Sequence, residues 1–469
     1  MTVIDQIRSA IGTENVLTGE DTAKWSKDWT GDYRLAPIAV VRPGSTEDVS
    51  AILSVAHATK TPVVPVSGNT GLTGATSNDG AIMLSLDRMN AIRNVNVEGR
   101  SVIVEAGAIL SAIHDAAEEH DLIFPLTFGA KGTAMIGGAL STNAGGSNVL
   151  RYGSTRHLCM GIEAVLPDGR IMDLMSELHK DNSGLDLRNL LIGAEGTLGV
   201  ITAAVMKLYR KPIAYATAMV AVPSIDDGLV LLNDMQDATG GAVEAFEYMP
   251  QTYMDRLLEH KPDSRLPFDE NHAVNVMIEV GATAKKDGAP GPDGTIPIVN
   301  QLEETLGAMF ESGQVLDAVV AQSEAQRAEM WARREAAGEI LFDPGVAVNT
   351  DIAVPLPKVG ETLRAITAGL KELDPDVKEI VVSHLGDGNI HHTAFPRRNT
   401  PDVMGQMVEV VEDCVQAVRG SFSAEHGVGV SKLKTMQRRK DPVALDVMRT
   451  IKQAIDPNGI MNPGKVIPD

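Results

Sequence analysis

The sequence predicts an α+β chain of two principal domains with a C-terminal segment that returns to the first. Three observations predict it. Glycine-rich loops entered from apolar, β-prone runs occur three times in the first half, at 67–74, 129–153 and 190–201. Strand and helix patterns alternate ahead of the first of them, as in a β-α-β unit. Beyond Pro212 the glycine loops stop and longer helical patterns take over, until glycine, Asn and Pro return after Ser421. The boundaries that follow are 1–211, 212–420 and 421–469.

The elements are read in chain order. Residues 3–12 form a short amphipathic helix with Ile4, Ile7 and Ile11 on one face. Ala39-Val-Val is a strand, and Ser45 caps a helix over about 46–59 that leads into the strand 62–66. Strands follow at 81–86 and 101–106, then a helix over 108–121 with Ile109 and Ile113 inward. The runs 161–166 and 170–173 make a hairpin turned at Pro167-Asp-Gly169, and Val200–Leu208 closes the domain. In the second domain strands are expected at 214–222, 242–248 and 274–279, with helices at 225–238 and 297–312. Residues 284–295, rich in Gly and Pro, read as a surface loop.

The stretch Gly129–Gly153 is the centre of the first domain. Glycine costs a helix roughly 1 kcal/mol per position against alanine, so no stable helix is expected there. Ile136, Ala139 and Leu140 are too apolar for a linker. Glycine permits close backbone approach and leaves N–H groups to face an anion, which suits a phosphate-bearing cofactor. A ligand-free glycine-rich core crossing is the competing reading. None of the three loops fits GxGxxG or GxxxxGK[ST], so a nicotinamide Rossmann site and a P-loop both lose ground.

Composition bounds the rest. At 469 residues the chain exceeds one core. A net charge of −21 argues against a nucleic-acid partner, which needs a basic face. Cys159 and Cys414 match no metal or redox spacing, as expected in a reducing compartment. The first residues do not read as a secretory signal, and no apolar run approaches the ~20 residues of a membrane span. A cytoplasmic protein without an integral membrane segment is expected.

The sharpest local signal is His384-Leu-Gly-Asp-Gly-Asn-Ile-His391. With Gly386–Asn389 as the turn, Leu385 pairs with Ile390 and His384 stands opposite His391, their Cβ atoms ~5 Å apart. Glu425, beside His426 in another glycine-flanked turn, can bring a carboxylate to the same ion. Two histidines and a carboxylate with an open position are the ligand set of a catalytic zinc site. Alternation turns His392 to solvent. Trp331-Ala-Arg-Arg-Glu335 reads from spacing as a solvated helical face, with substrate-carboxylate binding by an arginine as the other option.

These loops resemble those of the vanillyl-alcohol oxidase/PCMH flavoproteins, and within that superfamily the FAD-dependent D-2-hydroxyacid dehydrogenases. The nearest groups are the D-2-hydroxyglutarate dehydrogenases, the D-lactate dehydrogenases and the glycolate oxidase flavin subunits. The resemblance covers nearly the whole chain and is most specific at SGNTGLTG (67–74), IGGALSTNAGG (136–146), LRYGS (150–154), KDNSGLDLRNLLIGAEGTLG (180–199), HLGDGNIH (384–391), SAEHGVG (423–429) and DPNGIMNPGK (456–465). It implies a PCMH-type FAD-binding domain of two α/β subdomains, an antiparallel-sheet α+β substrate (cap) domain, and a C-terminal helical segment completing the first. The FAD pyrophosphate would lie on the backbone of Ser67, Gly68, Asn69, Thr70, Gly71 and Leu72, with Pro65 a further cofactor contact. Further flavin contacts would come from Pro125, Thr133, Gly137, Gly138, Ser141, Thr142, Asn143, Gly145, Gly146, Gly196 and Ile201, with Asn462 and Lys465 toward the flavin edge. The first loop lacks the histidine that some members join to flavin, so non-covalent FAD is expected.

The resemblance also implies metal-assisted oxidation of a D-2-hydroxy acid to the 2-oxo acid. Zinc would sit on His384, His391 and Glu425, His426 would be the base, and Arg334 would hold a substrate carboxylate. Electrons would pass to an electron-transfer flavoprotein, a quinone or a cytochrome, and a homodimer is the assembly carried forward. Three positions depart from the hydroxyglutarate pattern: Asn349 where a lysine is usual, Gly338 for a threonine, and Thr393 for an asparagine. The substrate expectation is therefore D-2-hydroxyglutarate or a smaller acid such as D-lactate. A flavin subunit of a larger complex and, on the histidines alone, a zinc hydrolase are the competing functions.

Overall fold

Helix α1 (Val3–Ile11) starts at Thr2, whose hydroxyl accepts the Asp5 amide while the Asp5 carboxylate accepts the Thr2 amide, a reciprocal cap. Ser45 caps α2 (Thr46–Thr59) by accepting the Asp48 amide. The computed structural model describes residues 1–341, 347–398 and 400–468. The chain divides into two units: 1–145, 153–210 and 425–469 in the first, 146–152 and 211–424 in the second.

The first unit holds two main sheets. Val16–Leu17 (β1), Ala39–Val41 (β2), Val63–Val66 (β3) and Ile82–Ser85 (β4) run in the order β1-β2-β4-β3, with β2 and β3 parallel to β4. Ile7, Ile11, Val49, Ile52 and Leu53 of the two helices pack on Val41, Val63, Ile82 and Leu84. The second sheet is antiparallel, in the order β8-β7-β9-β6-β5, from Ile92–Asn96 (β5), Ser101–Glu105 (β6), Cys159–Val165 (β7), Ile171–Leu174 (β8) and Val200–Lys207 (β9). The helix expected over 108–121 is shorter, Leu110–Glu118 (α3).

The glycine stretch does contain helix, contrary to the propensity argument: Ile136–Thr142 is α4. Burial of Ile136 and Leu140 outweighs the cost of two glycines, as tertiary packing does for short helices. Gly137 is required there, since a Cβ would lie 2.8 Å from the Ala106 carbonyl oxygen. The tail rejoins this unit beside β3, where the Val63 amide donates to Ile460 O at 2.8 Å and the Asn462 amide to Val63 O at 2.8 Å.

The second unit is built on a seven-stranded antiparallel sheet. Its strands are Ala214–Val222 (β10), Val243–Tyr248 (β11), Val274–Ala282 (β12), Asp317–Val320 (β13), Val348–Ala353 (β14), Lys378–His384 (β15) and Asn389–Phe395 (β16), ordered β13-β10-β12-β11-β15-β16-β14. One face packs Val220, Ile278, Ile352, Ile390 and Ala394 against Ile225–Thr239 (α5), Pro297–Glu311 (α7), Val359–Leu373 (α10) and Pro401–Ala417 (α11). The other packs Met219, Met277, Ile380 and Val382 against Gln251–His260 (α6), Glu324–Glu335 (α8) and Ala337–Ile340 (α9). With both faces covered, strands read as continuous apolar runs rather than alternating ones.

That double cover corrects two expectations. His392 is 1% exposed, because its face of β16 lies under α10 and α11, and its Nε2 is 2.9 Å from Glu379 Oε2. Arg333 and Arg334 are both 8% exposed, because α8 turns that face onto the sheet. Among the described residues no helix is long and apolar enough to cross a membrane.

Candidate active site

In the first unit the loop after β3 leaves its backbone donors unused. Among the described residues, none of the amides of Ser67–Thr73 donates a hydrogen bond, and neither do those of Gly145–Asn148. Seven consecutive unspent N–H groups in a half-buried loop are the donor set an anion wants. The loop is held from its side chains instead: Asn69, at φ +53°, donates through Nδ2 to Lys27 O at 3.0 Å and accepts from Thr76 at 2.8 Å. Gly68 lets Thr133 approach, since a Cβ there would fall 2.4 Å from the Thr133 carbonyl oxygen. Gly71, Gly129 and Gly132 face open space. Loops at 67–72 and 129–138 thus meet and leave room, and the residues fit a pyrophosphate-bearing cofactor.

The remaining flavin candidates divide. Gly196 lies against the Pro65 ring, and Gly138 against Ser67. Ser141 and Thr142 turn their hydroxyls back onto Gly137 O and Gly138 O, and Asn143 ends α4 in the left-handed region at φ +54°. Ile201 is buried within β9, and Pro125 is buried beside Phe124 and Leu126. Lys465 donates to Pro463 O at 2.9 Å, and burial lowers its ammonium pKa.

Glu195 was not singled out from sequence, yet it organises the His426 loop. It is 5% exposed, and its two oxygens accept the amides of Val428 at 2.7 Å and Gly429 at 2.9 Å. Burial raises its pKa against the pull of those amides. Asn462 spans Ala75 O and Glu195 O at 3.0 and 2.7 Å. Thr73 donates to His426 O at 3.3 Å, and its carbonyl accepts the amides of Val430 and Ser431.

The histidine hairpin has a different register from the one expected. Its loop is Leu385–Gly388, so His384 opposes Asn389 and Val382 opposes His391. The turn closes earlier because the Asp387 carboxylate accepts the Asn389 amide at 3.0 Å and Gly388 takes φ +80° against Val354 O. The two histidines are therefore diagonal neighbours on one face, which still brings the rings together, centroids 5.4 Å apart and nearly perpendicular. Ala424 donates to Asp351 O at 3.2 Å, and the next residue is Glu425. Ligand atoms of His384, His391 and Glu425 lie within 4.8 Å of one another. Two imidazoles and a carboxylate at that spacing fit a divalent ion such as zinc with a position left open.

Two buried carboxylates stand behind this cluster, and neither was anticipated. Glu247 on β11 is 0% exposed; Oε1 meets His384 Nδ1 at 2.8 Å and Oε2 accepts Arg334 Nε at 2.7 Å. Burial alone would raise its carboxyl, but His384 and Arg334 more than offset this and hold it at about 2. Asp351, opposite His391 on β14, accepts Asn389 Nδ2 at 2.8 Å and lies 3.6 Å from His391 Nδ1. The available signal was a glutamate inside the β-prone run Val243–Tyr248, where a charge requires a partner.

Helix α8 supplies Arg334 and is anchored further along. Glu279 accepts Arg327 through both oxygens at 2.7 Å, Trp331 Nε1 at 2.9 Å and Thr217 at 2.6 Å. Of the three substrate-pocket candidates, Asn349 and Thr393 form the pair two residues along from Asp351–His391 on the same face, bonded to each other at 2.8 Å. Gly338 in α9 has no atom within 4 Å of a would-be Cβ. Burial pushes the Cys159 thiol up to about 12, consistent with an inert residue.

Two family models match the chain. The C-terminal domain family of the FAD linked oxidases matches residues 211–466, and an FAD binding domain family matches 37–175. The D-2-hydroxyglutarate dehydrogenase of Stutzerimonas stutzeri (strain A1501) is 34% identical over 475 residues, 99% of this chain and 98% of that one. The mitochondrial D-2-hydroxyglutarate dehydrogenase of Bos taurus is 34% identical over 94% of this chain and 79% of its own. The D-2-hydroxyglutarate–pyruvate transhydrogenase of Saccharomyces cerevisiae is 30% identical over 98% and 93%. In fold, p-cresol methylhydroxylase superposes with a TM-score of 0.76 at 15% identity, over 100% of this chain and 96% of that one. Alkyldihydroxyacetonephosphate synthase gives 0.72 at 15%, over 98% and 84%.

Proposed function

The chain belongs to the FAD linked oxidases, and from that membership we propose that it oxidises a D-2-hydroxy acid to the 2-oxo acid with the aid of a divalent metal. The observation that carries the proposal is the cluster of His384, His391 and Glu425 with the Arg334 guanidinium 3.5 Å from His384. An ion site beside an arginine suits a substrate that offers a hydroxyl and a carboxylate on neighbouring carbons. Relatives named for D-2-hydroxyglutarate support the same class.

The chain's residues divide the work. Arg334 has its Nε committed to Glu247, so its Nη groups hold the substrate carboxylate. His384, His391 and Glu425 hold the ion, and a ring nitrogen of His426 takes the hydroxyl proton. Bound in these sites, the metal would lower the pKa of the hydroxyl and FAD would accept the C2 hydride. The amides of Ser67–Thr73 and Gly145–Gly146 would hold the FAD phosphates without a covalent link. An electron-transfer flavoprotein, a quinone or a cytochrome would be the acceptor that reoxidises the flavin.

Two substrates fit the pocket residues. The names of the relatives favour D-2-hydroxyglutarate. Asn349 and Thr393, satisfied by each other and uncharged, favour a shorter acid such as D-lactate. Anaerobic flavin bleaching against a panel of D- and L-2-hydroxy acids tests both. Fast bleaching by D-acids that slows with a chelator is expected. Equal rates for both enantiomers, or no bleaching by any acid, would sink the proposal.

A further inference from the structure

Resting on the metal site proposed above, we infer that Glu247 is a positioning residue that sets the His384 ring as a metal ligand and the Arg334 guanidinium as a carboxylate clamp at once. The register puts Glu247 directly opposite His384 across the β11–β15 pair. Each of its oxygens has one of the two partners, His384 Nδ1 at 2.8 Å and Arg334 Nε at 2.7 Å. A carboxylate on Nδ1 selects the tautomer with the proton there and leaves the lone pair on Nε2, the arrangement that metal-bound histidines use.

The energetics point the same way. A fully buried ion pair contributes little net stability, because desolvation consumes most of the Coulombic gain. Apolar side chains in place of the whole pair would cost the fold little, as Met219, Met277 and Val382 show by packing on the same face. What apolar residues cannot supply is a fixed orientation for two groups that must act on one substrate. Arg334 comes from α8 and His384 from β15, and Glu247 is the third element that touches both. The loss of its charge therefore disturbs metal affinity and substrate affinity together.

The test uses the full-length, flavin-loaded protein with zinc alone as the metal probe. Zinc affinity is measured by chelator competition for wild type, Glu247→Gln, Glu247→Asp and His384→Ala, alongside flavin content, Tm, kcat and KM. Glu247→Gln keeps the shape of the side chain, so flavin content should hold; Tm falls because Arg334 is left without its counter-charge, zinc binds 10–100-fold more weakly and KM rises. Glu247→Asp, one methylene shorter, must show the same weakening and covers the case in which the glutamine variant does not fold. Wild-type zinc affinity in a folded Glu247 variant, with His384→Ala deficient, overturns the inference while the metal site stands. Equal zinc binding in wild type and His384→Ala removes the metal site, and the inference with it.

Discussion

The backbone around His426 is fixed from the first unit. The His426 carbonyl accepts Thr73, and the amides two and three residues on are fixed by Glu195. An alanine keeps all of these contacts, so His426→Ala should retain bound flavin and lose 10²- to 10⁴-fold in the rate of flavin reduction by substrate. Undiminished anaerobic bleaching would remove His426 from the proton step. Asn349 invites the opposite experiment, a gain. It is exposed in the pair two residues along from Asp351–His391, and a lysine there would put a cation within reach of a distal carboxylate. Asn349→Lys should improve kcat/KM for D-2-hydroxyglutarate over D-lactate by roughly tenfold, the worth of one charge-assisted hydrogen bond. An unchanged ratio would mean that position 349 does not face the substrate.

At the scale of elements, α8 is the piece on which the proposed substrate clamp, Arg334, depends. Arg327, Trp331 and Arg334 repeat at helical spacing, and all three point at buried carboxylates of β12 and β11. Glu279→Ala removes the acceptor of four donors. Hydrogen exchange in α8 should quicken, and KM should rise more than kcat falls as Arg334 loses its bearing; unaltered exchange would show that Glu279 does not anchor the helix. The same helix shows where sequence reading stops. Its amphipathic spacing was legible, but its charged face looked solvated, because the glutamates that satisfy it lie some fifty to ninety residues upstream. The strands at 214–222 and 243–248 and the helices at 46–59 and 297–311 were legible from local periodicity and caps. The register of the histidine hairpin was not, because the Asp387 side chain and the Val354 carbonyl decide it. The α4 helix was hidden for a related reason: its glycines answer to Ala106, not to helix propensity.

Across the whole molecule, the cofactor chemistry is divided between units of different construction. The unspent amides of Ser67–Thr73 belong to the first unit, with its parallel β-α-β core. The histidine pair belongs to the seven-stranded antiparallel sheet of the second. The net charge of −21 makes a polyanion an improbable competitor for either. If phosphate is held by backbone N–H groups and the metal by imidazole and carboxylate, as proposed, a chelator has nothing to withdraw from the flavin loops. Dialysis against a strong chelator should yield protein with its full yellow absorbance and less than a tenth of its metal. Substrate should then bleach the flavin at least tenfold more slowly, and added zinc should restore the rate. Flavin released in step with the metal would mean that the two sites are one binding unit, and the division of labour drawn from these residues would fall.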